Sequence, residues 1–103
     1  MELMAEVIFQ RFAAIGIARS VRNYYEFIRP VPNGICIQRQ NGNRCTIQRD
    51  QLCWAIDAVQ RDPQIYYTGP ISLWFYIDNK RRLSPLWAML RLLTLDEILD
   101  MRF

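Results

Sequence analysis

The residues of this chain best suited to chemistry are its arginines. Between Phe27 and Arg49 the sequence carries Arg29, Arg39, Arg44 and Arg49 and no acidic residue, and further on Lys80, Arg81 and Arg82 stand together. Of the 13 basic residues all but Lys80 are arginine. Guanidinium groups present a planar fork to carboxylates and phosphates and stack on aromatic faces. The chemistry in prospect is recognition of an anion, by nucleic-acid contact or by contact with an acidic protein. A solvated outer sheet face and a solvated loop would explain the same charges, and a net charge of +3 does not by itself identify a nucleic-acid binder.

Acid-base and nucleophilic chemistry are poorly supplied. Histidine is absent, which removes the commonest general base and the commonest metal ligand. The carboxylates Asp50, Asp57, Asp62 and Asp78 form no local pair that argues for catalysis, and helix capping and ion pairing account for them. Cys36, Cys45 and Cys53 match no zinc spacing. Cys53 lies early in an expected helix but has no histidine to activate it. Phosphate-cradling glycine loops, dinucleotide fingerprints and the motifs of common RNA-binding modules are missing. These features point away from an enzyme, and no cofactor or metal is implied.

A second group of interest is aromatic: Tyr66, Tyr67, Trp74, Tyr76 and Trp87. Lining a small-molecule pocket or stacking on unpaired bases are its functional uses, and core packing or a subunit contact is the plainer one.

The element that must position the first arginines is a hairpin. Ile35 to Gln40 and Arg44 to Arg49 flank Asn41-Gly42, a strong turn signal. A two-residue loop would waste both isoleucines by facing them with Thr46 and Gln48. A three-residue loop, Asn41 to Asn43 with Asn43 at positive φ, sets Ile37 opposite Ile47. It puts Ile35, Ile37, Cys45 and Ile47 on one face, and Cys36, Gln38, Gln40, Arg44, Thr46 and Gln48 on the other. Cys36 and Cys45 then cannot bond to each other. The candidate partner surface is Gln38, Gln40, Arg44, Thr46 and Gln48, joined by Lys80, Arg81 and Arg82 if that turn lies nearby.

Around the hairpin, residues 3 to 28 read as one long helix free of proline, with an apolar arc over more than half its circumference. Such an arc needs cover on more than one side, so self-association as a homodimer is the leading expectation. Its candidate surface is Phe9, Phe12, Gly16, Ile17 and Tyr24, with Trp74 and Tyr76 on the outer side of a later strand. Pro30 and Asn33-Gly34 turn the chain into the hairpin. Asp50 is the expected cap of a helix over 51 to 61, with an Asp57–Arg61 pair. Residues 65 to 68 read as extended. Ile71 to Ile77 alternates like a strand, with Ile71, Leu73, Phe75 and Ile77 on one side. Ser84-Pro85 signals a helix start, and Thr94 with Glu97 forms a capping box for a last helix from Leu95 to about Met101.

The order helix, strand, strand, helix, strand, helix predicts an α+β fold. It is a single domain over residues 1–103, with a mostly antiparallel sheet of three or four strands packed by helices. The longest uncharged run, Pro63 to Ile77, has 15 residues and contains Gly69 and Pro70, too short to cross a bilayer. Glu2 and Glu6 occupy the place of a signal peptide's cationic region. The expectation is a cytoplasmic protein with reduced thiols that meets no membrane.

Overall fold

The structure is a computed structural model describing residues 2–100. It is an α+β domain in which a four-stranded antiparallel sheet, in the order β1-β2-β3-β4, is covered on one face by helices.

Helix α1 (Glu2–Ile15) buries Met4, Ala5, Ile8, Phe9 and Phe12, a stripe at helical spacing. It ends far short of the expected residue 28. Gly16 takes φ +88 and donates its N–H to the Phe12 carbonyl at 2.7 Å, the left-handed exit that glycine permits at a helix end. The Gly16 carbonyl then accepts from Phe27 N–H at 3.0 Å, so one residue closes the helix and opens the sheet. Strand β1 (Ile17–Arg19) turns through Ser20–Asn23 into β2 (Tyr24–Val31). The wide apolar arc is therefore two periodicities in succession. A helical stripe runs to Phe12, and from Ala18 onward alternate residues, Ala18, Tyr25 and Phe27, face the core.

Asn33, at φ 60, completes the turn into β3 (Gly34–Arg39). A Cβ on Gly34 would collide with the Ile47 carbonyl oxygen, so only glycine fits between these strands. Strand β4 (Arg44–Gln48) pairs with β3 in the register Ile35↔Ile47, Cys36↔Thr46, Ile37↔Cys45 and Gln38↔Arg44. The two faces are those expected, but the partners differ: Ile47 faces Ile35 rather than Ile37. The three-residue loop is Gln40 to Gly42, closed by Arg39 N–H to Asn43 O at 2.7 Å and Gly42 N–H to Arg39 O at 2.9 Å. Gly42, at φ +90, supplies the left-handed residue in place of Asn43, because glycine adopts it without steric cost. Moving the loop by one residue changes the pairing by two and leaves each side chain on its face.

Helix α2 (Arg49–Arg61) buries Leu52, Ala55, Ile56, Ala58 and Val59. Its cap position is Gln48 rather than Asp50. The Gln51 side chain accepts from Gln48 N–H at 3.0 Å, while the Asp50 carboxylate accepts from Gln51 N–H within the first turn. Arg61 and Asp57 pair at 2.8 Å.

Residues 65 to 77 form no strand. They make a single helical turn, α3 (Ile65–Thr68), and a 3-10 turn over Pro70–Leu73. Leu73 and Ile77 are buried while Ile71 and Phe75 are exposed, and Ile77 N–H donates to Leu73 O at 3.2 Å. The working spacing is i, i+4, which alternation over seven residues conceals.

A 3-10 turn over Lys80–Arg82, held by Arg81 N–H to Asn79 Oδ1 at 3.1 Å, leads into α4 (Leu83–Leu90). Ser84 is inside this helix and is no cap: its Oγ lies 2.6 Å from the Tyr25 hydroxyl. In α4 Leu83 and Pro85 to Leu90 are all buried, and the helix packs against α1, α2, β1 and β2. It is the central helix of the fold. Thr94 and Glu97 form the expected capping box at 3.1 and 2.9 Å. They open α5 (Leu95–Asp100); the expected end at Met101 lies outside the described residues. No helix among the described residues is long and apolar enough to cross a membrane.

Candidate anion-binding cleft

The hairpin and the Lys80–Arg82 turn, about 40 residues apart in sequence, come together in space. Arg39 shares the inward parity of Ile37 and Tyr25 but lies at the open end of β3, where its guanidinium reaches over the Tyr25 ring, 5.9 Å from the centroid. From there Arg39 Nη2 donates to the Arg81 carbonyl at 2.5 Å. Four residues past the hairpin turn, Thr46 O accepts from Arg82 Nε at 3.2 Å. These two bonds fasten the turn to the hairpin. Between them lies a cleft of about 590 Å3 lined by Arg39, Asn41, Asn43, Arg44, Cys45, Arg81 and Arg82.

The lining holds four guanidinium groups and no carboxylate. Among the described residues the ion pairs are Arg11–Glu97 at 3.0 Å, Arg49–Glu6 at 2.7 Å and Arg61–Asp57 at 2.8 Å, so no cleft arginine is neutralised by an acidic partner there. Each guanidinium offers five N–H donors in a planar fork. The hydrogen bonds of Arg39 and Arg82 to the backbone, and of Arg44 Nε to Gln38 Oε1 at 3.3 Å, occupy only part of that capacity. The arrangement suits an anion with several oxygens.

Not every expected residue takes part. Lys80 turns back on its own loop: Nζ donates to the carbonyls of Trp74 and Ile77 and stands 4.7 Å from the Trp74 ring centroid. Gln40 belongs to the hairpin loop, where Oε1 accepts from Tyr24 N–H at 3.3 Å. Gln38, Thr46 and Gln48 lie with Arg44 on the outer sheet face. Arg49 is drawn to Glu6 and the Phe9 ring. Asn41 and Asn43 are cleft residues that sequence reasoning missed, and Arg39, named among the basic residues but left off the candidate surface, joins them. Arg39 has inward parity, and only the end of the strand frees its head group.

The proposed self-association surface is divided. Phe9 and Phe12 are buried in the core, and Gly16 is the helix exit. Ile17 and Tyr24 are half-buried on the outer sheet face. Trp74 and Tyr76 are exposed, and between them Phe75 is 93% exposed. The expected aromatic group does not converge on one pocket either. Tyr66 and Trp87 are buried, donating to Leu93 O at 2.7 Å and Ile65 O at 2.8 Å, with Arg91 over both rings. Tyr67, Trp74 and Tyr76 face outward. Burial pushes the Cys53 thiol up, with the Glu2 and Asp50 carboxylates adding to the shift, which disfavours the thiolate a nucleophile needs.

Comparison with protein-family models, with curated proteins and with solved structures finds no match for this chain.

Proposed function

We propose that this protein is a non-catalytic binding protein that takes a phosphate-bearing polyanion, a nucleic-acid backbone, on the cleft between the hairpin and the Lys80–Arg82 turn. One observation carries the reading: Arg39, Arg44, Arg81 and Arg82, from two distant segments, line a single concave surface without a carboxylate. Groups of one sign gathered in a concavity focus the field and raise the local concentration of opposite charge. The missing histidine supports a binding role over a catalytic one. The unbridged Cys36, Cys45 and Cys53 are in keeping with a cytoplasmic setting.

The test is fluorescence anisotropy with labelled duplex DNA over a range of salt. Affinity is expected to fall steeply as salt rises, and Arg44→Ala and Arg81→Ala each to weaken binding and to lower the log–log salt slope by about one. Absence of binding to nucleic acid at low salt overturns the proposal. Arginine-dependent capture of an acidic protein without nucleic-acid binding would instead assign the cleft to a protein partner.

Self-association as a homodimer is the second reading, favoured by the exposure of Trp74 and Tyr76. The over-wide arc on one long helix no longer supports it, because the helix breaks at Gly16. Analytical ultracentrifugation at high protein concentration tests it, and a monomer there sinks it.

A further inference from the structure

The exposed aromatic segment is joined to the arginine cleft through the Lys80–Arg82 turn: Lys80 Nζ stands 4.7 Å from the Trp74 ring centroid, and Arg81 follows Lys80 in the chain. Arg81 lines that cleft and also a neighbouring one of about 620 Å3, which it shares with Val21, Ile71, Lys80 and Leu83. Past Ile71, Ser72 and the buried Leu73, the chain carries Trp74, 43% exposed, and Phe75, 93% exposed. This is a fixed platform and no loose loop. Trp74 N–H donates to Ile71 O and Tyr76 N–H to Leu73 O, both at 3.0 Å, while Leu73 and Ile77 anchor the segment in the core. Lys80, bonded to two carbonyls of the segment, adds a positive charge against the Trp74 ring.

A surface with guanidinium groups on one side and, on the other, an exposed Phe75 ring beside a Trp74 ring that carries Lys80 on one face fits one ligand chemistry best. In a duplex the base faces are stacked inside and cannot meet an aromatic side chain. An unpaired strand offers its phosphates and its base faces together. A second copy of this chain fits worse. In a two-fold contact the same patch meets itself, which would bring Lys80 and Arg81 of both copies together and set like charge against like.

We infer that the ligand is single-stranded nucleic acid, its phosphates on Arg39, Arg44, Arg81 and Arg82 and its bases stacked on Phe75 and Trp74. This rests on the reading of the cleft as a polyanion site and narrows it.

The experiment measures anisotropy of one labelled mixed-sequence DNA oligonucleotide, single-stranded and annealed to its complement, with wild type, Phe75→Ala, Phe75→Tyr and Arg44→Ala, alongside sedimentation of each protein. The Phe75 ring is almost wholly exposed, so its removal leaves the fold intact, which circular dichroism checks. The single strand is expected to bind more tightly than the duplex. Phe75→Ala should weaken single-strand binding by roughly 5- to 150-fold, the range for loss of one stacked base, leave duplex binding unchanged, and be rescued by Phe75→Tyr. Arg44→Ala should weaken both. Equal affinity for the two forms, or indifference of single-strand binding to Phe75→Ala, overturns the single-strand inference while arginine-dependent duplex binding keeps the cleft reading. A Phe75→Ala change from dimer to monomer without loss of single-strand affinity assigns the surface to self-association and overturns the inference. No binding of either form at low salt overturns both readings.

Discussion

At the scale of single residues, the tie between Arg11 and Glu97 has the clearest measurable consequence. Arg11 Nη1 and Nη2 donate to the two Glu97 oxygens at 3.0 and 3.1 Å, and Nη1 also reaches Leu92 O at 2.9 Å. Thr94 N–H donates to the same carboxylate. The Arg11 bonds foremost, and then the Thr94 bond, hold the Glu97 carboxyl at about 2, below its ordinary 4.5. A carboxylate whose pKa is depressed in the fold stabilises it fully above the unfolded value and loses that contribution as pH falls through the folded one. Here the window runs from 4.5 down to about 2. The side chains of Arg11 and Glu97 are 36% and 37% exposed, so solvent screening keeps the effect at about 1 kcal/mol or less. Glu97→Gln, which keeps a capping-box side chain, should melt slightly below wild type at neutral pH and converge with it by about pH 2 in thermal denaturation followed by circular dichroism. The capping half of this arrangement was legible in Thr94 and Glu97, since it is local. The Arg11 half was not, because its partner lies 86 residues away and only the packing of both α1 and α5 on α2 brings them together.

At the scale of elements, Gly16 decides more than any apolar residue around it. Were residues 3 to 28 a single helix, Gly16→Ala would stabilise the protein by up to about 1 kcal/mol through helix propensity. In the fold observed, Gly16 has φ +88 and open space where a Cβ would stand, so the same substitution should destabilise by about 1–2 kcal/mol through left-handed backbone strain alone. Urea denaturation gives the sign. The hairpin was legible because two constraints agree, an Asn-Gly turn and isoleucines at matching parity. What failed there was the choice between neighbouring left-handed residues, Gly42 and Asn43. The helix of 3 to 28 and the strand of 71 to 77 failed for one reason. A short apolar segment fits more than one period, and the packing partner selects among them. Leu73 and Ile77 enter the core together, and that selects the helical spacing. Phe75, expected on the covered side of a strand, thereby becomes the most exposed large apolar side chain among those described.

At the scale of the whole molecule, the Cα radius of gyration is 12.2 Å, close to the roughly 13 Å of a compact domain of this length. A central helix buried on all sides leaves one sheet face and one aromatic platform to the outside. The α+β class was legible from alternating helix and strand signals. The cleft was legible only as two separate basic segments, because its formation depends on α4 delivering the Lys80–Arg82 turn to the far edge of the sheet. The bond from Arg82 to Thr46 O has a further consequence there. The ladder runs through Arg39–Asn43 and Asn33–Arg49, so Arg44, Thr46 and Gln48 turn their backbone groups away from β3. Such an exposed strand is a template for pairing with another chain. Gln51 covers the Gln48 N–H and Arg82 covers the Thr46 carbonyl, which breaks the row of open groups midway. Arg82→Ala should leave the fold's melting point nearly unchanged and yet make the protein scatter light increasingly with time at high concentration, as strands add edge to edge. Arg82 is thus a guard of the sheet's border as well as a wall of the cleft.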